Sequence, residues 1–545
     1  MNILNDLKMK PTYKIFTLGL LTLSGMTACN DLDTEIYGGY ATTEQKKELT
    51  EKYPEKLVAS LAGISATASQ FASIYTEGNV QSDFGMPSLM LVLDSRGIDC
   101  SGINSGYNWY QDANGLSDAT PTSRNSSYAW YYPYQIINAA NTLLQTTGDT
   151  SDNEETMFFI AQAKAERAAS YMHLAQTFQF TYLGHENAPC VPIVTDRNME
   201  EVAIAGGNPR ASVAEVYAQI MDDLNNAVDY LSRTPITADE LLSSKPKRCA
   251  SLATAYGLRA RANLLMGRWQ EAADDAQDAI NAFDGQPMSM QEAAGPVLWS
   301  MDEPCVMWAF PINENDDCVQ TGLCNWPSFM GSFCYGYTTL TPSKRFVNRA
   351  LYDAIPDTDV RKGWFLDANG KSDNLTPSQQ AFANARLAPY AQVKFAPYQD
   401  VLGVSTNACD IMRMRIEEMY LIKAEAQAMA GSPSVGAQTL TSFVQTYRDP
   451  SYTCSASTAE EVRDAVWFQR RVELWGEGIS YFDIMRLKKP IDRRGGGWPS
   501  VWVYNIPAES PVMLFPIPND EIQANSKITA AQNNPSSTQP QPVND

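Results

Sequence analysis

Arg470-Arg471-Val472-Glu473-Leu474-Trp475-Gly476-Glu477-Gly478-Ile479-Ser480-Tyr481-Phe482-Asp483-Ile484-Met485-Arg486 is the stretch on which the fold turns. Trp467, Leu474, Trp475 and Phe482 fall at helical spacing in and around it, which predicts that one face enters a core. Glu473 and Glu477 stand one helical turn apart, so both carboxylates share a face. Paired carboxylates are how glycosidases work. Arg470 and Arg471 lie beside them, however, and arginine–carboxylate pairing within a helix is ordinary structural chemistry. The spacing therefore predicts a helix over Ala459–Leu487 whose charges hold structure, and no catalytic pair.

Working outward, the strongest periodicities are also helical. Val213, Val216, Tyr217, Ile220, Leu224, Ala227, Val228 and Leu231 mark one helix face, with Ser212 placed as its N-cap. Tyr256 to Ile280 reads as two helices, broken at Gly267 and followed by Trp269, Ala272, Ala273 and Ala276. That pattern is similar to a tetratricopeptide-like pair, in which small alanines let neighbouring helices approach closely. Further helices are predicted at Tyr134–Leu144, Glu155–Tyr182 and Arg415–Ala430. Four stretches between them, 96–124, 283–342, 363–408 and 489–511, are rich in Gly, Asn, Asp, Pro and aromatics and show no helical period. The 545 residues would allow three or four domains at about 150 residues each. Helical elements on both sides of every irregular stretch instead predict one mainly α body over 51–528, decorated by large loops and holding little strand. The Gln/Asn/Pro/Ser-rich tail, 529–545, is too polar to pack by this reading and is expected to be disordered.

The formal net charge is −21, a surface that repels phosphate backbones and argues against nucleic acid as a partner. His173 and His185 are the only histidines, so histidine-based catalysis has little material. Nine cysteines follow Cys29, an odd number. Zinc is a poor reading for the group Cys305, Cys318, Cys324 and Cys334, which lacks a C-x-x-C pair and a nearby histidine. A local disulfide such as Cys318–Cys324 and free buried thiols are both compatible with the spacing. Asp112-Ala113-Asn114-Gly115 and Asp367-Ala368-Asn369-Gly370 carry oxygen ligands that calcium accepts. Neither places glycine sixth, as a calcium loop does, so both are read as turns and no cofactor is expected.

At the N-terminus, Lys8, Lys10 and Lys14 precede an uncharged run, and Met26-Thr27-Ala28 lead into Cys29. That order is a secretory signal peptide over 1–28. Its apolar run falls short of the roughly 20 residues that a membrane span needs. A cysteine directly after the small residues resembles a bacterial lipobox, with Cys29 lipidated as the mature N-terminus and 29–50 forming a spacer. Met26 stands where leucine is usual.

The opening stretch resembles the RRxELxxEGxxxFDxxR segment of the SusD/RagB family of outer-membrane nutrient-binding lipoproteins. Leu514 to Asn525 is similar to that family's LxPIPxxEIxxNP ending, with Ser526 in place of the last proline. Arg415 to Ala426 resembles its RxxEMYLIxAEA helix, and Trp130, Tyr134, Ile137 and Asn141 its WxxxYxxIxxxN spacing. Arg167, Ala168 and Tyr171 fit RAxxY, and Ser212 to Leu231 fits SVxEVYxxIxxDLxxAxxxL. Phe180 to Gly184 lacks the family's Phe-Gly step. The resemblance spans nearly the whole mature chain. It implies a SusD-like fold of tetratricopeptide-like helix pairs with large irregular insertions. It also implies a non-enzymatic lipoprotein, anchored at the outer membrane and facing the exterior. Such a protein binds a glycan and delivers it to a SusC-like TonB-dependent transporter. The same scaffold serves oligopeptides, and a structural or adhesive surface protein or a glycoside hydrolase are readings from other classes.

Glycans offer flat C–H faces rimmed by hydroxyls, which proteins meet with exposed aromatic rings and a few placed polar groups. An aromatic in a polar, glycine-rich loop has little core to enter. On composition, the candidates are Tyr107, Trp109 and Tyr110, then Trp326, Tyr335 and Tyr337, then Trp498. The family's contact positions vary in type and place, so none is carried over by motif.

Overall fold

The computed structural model describes residues 52–53, 57–69, 81–242 and 244–545. The signal peptide, Cys29 and the spacer lie outside them. A succession of helices forms the framework: α1 (Leu57–Ser69), α2 (Met86–Arg96), α3 (Arg124–Thr147), α4 (Glu154–Phe178), α5 (Val213–Arg233), α6 (Leu252–Met266) and α7 (Trp269–Ala282). After a long excursion come α8 (Ile416–Met429), α9 (Pro433–Tyr447), α10 (Ala459–Glu473) and α11 (Ser480–Arg486). From α3 to α7 each helix packs on the next, and α7 packs on α8 across the excursion. The stacked helices thus continue through space where the sequence interrupts them.

Local chemistry explains the boundaries. Ser212 caps α5 in a reciprocal box with Glu215, satisfying N–H groups that a helix start leaves free. Gly267 ends α6 at φ 70°, a left-handed cap, and a Cβ there would come within 2.9 Å of Leu183. The predicted helix over Ala459–Leu487 is two helices. Gly476 (φ 76°) and Gly478 (φ 74°) turn the chain between them, and side chains at these positions would meet Phe395 at 2.9 Å and Met90 at 2.8 Å. Periodicity missed the break because the apolar spacing resumes on the far side.

The irregular stretches hold more structure than their composition suggests. Val306–Phe310 pairs antiparallel with Ile411–Arg415, and two-residue pairs join Cys100–Ser101 to Phe346–Val347 and Ile491–Asp492 to Asn505–Ile506. Pro377–Arg386 is a helix, opened by a Thr376–Gln379 capping box that the sequence displays. The nine described cysteines are free thiols, Cys318 and Cys324 among them. Asp367 spends its carboxylate on the N–H groups of Asn369 and Lys371, which closes a turn.

The expectation of a disordered tail is corrected. Asn533 accepts from the Ile517 N–H at 2.7 Å and donates to the Ile517 carbonyl at 2.8 Å. Asn534 donates to the carbonyls of Phe178 and Phe515. Side-chain amides here satisfy backbone N–H and carbonyl groups of neighbouring segments, so a segment poor in apolar residues is held in place. All described residues fall within one compact unit, the tail included.

Candidate functional site

The opening segment builds a buried ionic knot. Burial opposes ionisation of Glu473, but the guanidiniums of Arg448, Arg415 and Arg361 outweigh it and hold the carboxyl well below the usual range. Glu477 is likewise held low against burial by Arg415 and Lys394. Lys394 also donates to the carbonyls of Glu473 and Trp475 at 2.8 and 2.9 Å. Arg470 and Arg471 bind Asp483 and Asp99, and not the adjacent glutamates that the spacing suggested. A general acid needs a raised pKa and access to substrate. Both glutamates are depressed and buried among cations, so this pair holds the fold.

The aromatic candidates divide sharply. Tyr107 (56% exposed), Trp109 (42%) and Tyr335 (42%) present their rings to solvent. Tyr110 (1%), Trp326 (6%), Tyr337 (7%) and Trp498 (4%) do not, which removes them as stacking surfaces. The Tyr110 ring lies edge-on to Phe329 at 5.2 Å beneath the Arg345 guanidinium, and its hydroxyl sits 3.1 Å from that of Ser88. Tyr337 stacks on Phe329 at 4.7 Å, and Trp326 meets Phe395 edge-on at the same separation. Trp498 is covered by the Arg493 guanidinium at 3.8 Å. Composition marked these stretches as loops with nothing to pack on, but they pack on one another.

The buried rings fix the exposed ones. Asn108 donates to the Ile103 carbonyl and to Asn114 Oδ1, both at 2.9 Å, and accepts from the Tyr110 N–H at 3.1 Å. This pin turns Asn108 and Tyr110 inward and leaves Tyr107 and Trp109 outside. Phe329 touches both Tyr110 and Tyr337, so it joins the loop of Trp109 to the loop of Tyr335. Tyr335 is held through its backbone: its N–H donates to the Val404 carbonyl at 2.8 Å and its carbonyl accepts from Asn407. Val401, in the turn that ends at Val404, and Leu340, closing the short helix after Tyr335, are exposed as well. Both escaped the sequence reading, although an apolar residue in a polar stretch is the signal that selected the aromatics. The arrangement is a set of exposed rings and apolar groups on loops fixed by buried neighbours. Among the described residues no cluster of His, Cys, Asp or Glu is placed to hold a metal.

The model of the SusD family matches residues 367–536, and one described as starch-binding and associating with the outer membrane matches residues 88–260. The chain belongs to the SusD/RagB family. The SusD-like architecture is also that of a SusD-like carbohydrate-binding protein from Bacteroides vulgatus, at 21% identity and a TM-score of 0.70, covering 90% of this chain and 98% of that one. A SusD superfamily protein from Bacteroides thetaiotaomicron aligns at 22% identity and TM-score 0.70 over 88% and 99% of the two chains. A laminarin-binding SusD-like protein aligns at 20% and 0.59 over 90% and 99%. At these identities the likeness is one of fold. No curated relative matches the chain.

Proposed function

We propose that this SusD-like protein captures an oligosaccharide at the cell surface on the face carrying Tyr107, Trp109 and Tyr335. It then passes the glycan to a SusC-like TonB-dependent transporter. The observation that carries this reading is the fixed exposure of those rings on loops tied together through Phe329. Rings held open by buried neighbours present their faces without an ordering cost on binding. The family supports it, as does the description of the model matching 88–260. Neighbours named for binding carbohydrate and laminarin point to the same ligand class. Cys29 is the lipid attachment point in this scheme, which tethers the protein to the outer membrane. Among the described residues no helix is long and apolar enough to cross a membrane.

Calorimetry against a panel of polysaccharides and oligopeptides tests the ligand class. Heat with a glycan is the expected result, and heat with oligopeptides alone overturns it. Release of reducing sugar from a bound glycan would show an enzyme. Cys29→Ala tests the anchor: the protein should leave the membrane fraction with its ligand binding intact.

A further inference from the structure

The packed C-terminal segment closes a cleft that none of the aromatic loops enters. Pro189, Pro209 and Arg210 line it together with residues between 527 and 535, around a volume of about 450 Å³. Ligand pockets run to roughly 300–1,000 Å³ and combine a mostly apolar lining with a few placed polar groups. Pro189, Pro209 and Pro535, all exposed, supply apolar surface here.

The charge of the lining is unusual for this chain. It holds two cations, Arg210 and Lys527, and among the described residues no acid, although the net charge of the protein is −21. Lys527 is exposed, and its ammonium meets no carboxylate among the described residues. Arg210 is half-buried and bonds only to neutral groups. Its Nε donates to the Cys190 carbonyl and its Nη1 to the Gln532 carbonyl, both at 2.7 Å. Its Nη2 donates to the Pro189 carbonyl at 2.8 Å and to Asn534 Oδ1 at 3.0 Å. Arg259, Arg261, Arg413 and Arg471 are half-buried as well, and each of them binds a carboxylate. Burial draws the Arg210 guanidinium below its ordinary pKa. A charge partly withdrawn from water without a counter-charge favours an anion beside it. Gln532 spends its Oε1 on capping Thr529, which leaves its exposed Nε2 without a partner among the described residues.

These groups match one class of ligand. A carboxylate answers the two cations, hydroxyls answer the Gln532 amide, and C–H groups lie against the prolines. Inorganic phosphate has no apolar part to place, and a neutral sugar leaves the cations unanswered. We infer that this cleft binds a sugar acid of the hexuronate type, as a second ligand separate from the glycan on the aromatic loops. Arg210 and Lys527 hold its carboxylate, and Gln532 a hydroxyl.

Calorimetry of the whole protein with sodium galacturonate and sodium glucuronate tests this, against glucose, sodium acetate and sodium phosphate at equal ionic strength. Saturable heat with a hexuronate is expected, at least about tenfold tighter than with any control and weakening as salt is raised. Lys527→Glu changes an exposed side chain and should weaken hexuronate binding by at least about tenfold. Ala531→Glu, also exposed in the lining, does the same if the first variant fails to fold. Trp109→Ala should leave the hexuronate heats unchanged, and Lys527→Glu the glycan heats, so each site is read apart from the other. No saturable heat with either hexuronate by about 50 mM, equal affinity for any control, or undiminished affinity in the two Glu variants overturns the inference.

Discussion

The knot around Glu473 and the loops around Phe329 are both dense in polar and aromatic side chains, yet they use them in opposite ways. In the knot every charge is turned inward. Arg361, Arg415, Arg448 and Lys394 face Asp359, Glu417, Glu473 and Glu477, all of them buried. Trp475 closes one side, donating to the Asp99 carbonyl at 2.9 Å. In the loops the polar groups turn inward and the rings turn out: Asn108 and Arg345 are buried, while Tyr107, Trp109 and Tyr335 are exposed. A buried ion pair is costly to desolvate and costlier to break, so it enforces one arrangement of the chain. An exposed ring contributes little to folding and is free to serve a ligand. The difference separates residues that fix the scaffold of this chain from residues whose side chains are left to meet a ligand.

The separation can be broken most directly at Glu473. Glu473→Ala strands three guanidiniums and should cost about 3–5 kcal/mol, read as a drop in denaturation midpoint or as failure to fold. Trp109→Ala should do the reverse, leaving the unfolding midpoint within experimental error. Ligand affinity in calorimetry should fall by about 10- to 100-fold, or ~1–3 kcal/mol for an aromatic contact. Unchanged affinity in a folded protein removes that loop from the site. Asn534→Ala, which releases the Phe178 and Phe515 carbonyls, should cost about 1–2 kcal/mol and speed proteolysis of the tail. Glycan binding should not change.

Acid should separate the two regions as well. Glu473, Glu477 and Asp483 sit below their ordinary values of 4.5, 4.5 and 3.8 because arginines outweigh burial. Their stabilisation is complete above those ordinary values and is lost as pH falls through the lower folded ones. Asp94 runs the other way. Burial pushes it up to about 7 against the Gly478 N–H it accepts, so its contribution falls as pH rises from 3.8 toward 7. Chemical denaturation across pH should therefore show a maximum between these limits. Ring stacking carries no charge, and glycan affinity should stay flat between about pH 5 and 8 wherever the protein is folded.

Legibility followed the same division. The motif residues that carried the family resemblance are partners of one another in space. Arg167, of the RAxxY pattern, binds Asp223 of the SVxEVYxxIxxDL helix and Asn141 of the WxxxYxxIxxxN helix. Arg415 and Glu418, of the RxxE pattern, bind Glu477 and Arg470 of the opening segment. Such residues are readable because a buried charge demands a complementary residue at a fixed place. The aromatics offered no such signal. Seven rings in similar surroundings divided into three outside and four inside, according to where Asn108, Phe329 and Arg493 sit.

The sequence by itself determined the helices from α3 to α8, the Ser212 cap, the break at Gly267, the structural role of Arg470 to Arg486, and the family to which these add up. Periodicity and charge complementarity are local or pairwise constraints, and a linear pattern preserves them. Only the tertiary structure decided which rings face water, that Gly476 and Gly478 split the last long helix, and that the polar tail packs. Each of these depends on what lies opposite the residue, and the chain brings those partners from far away in sequence.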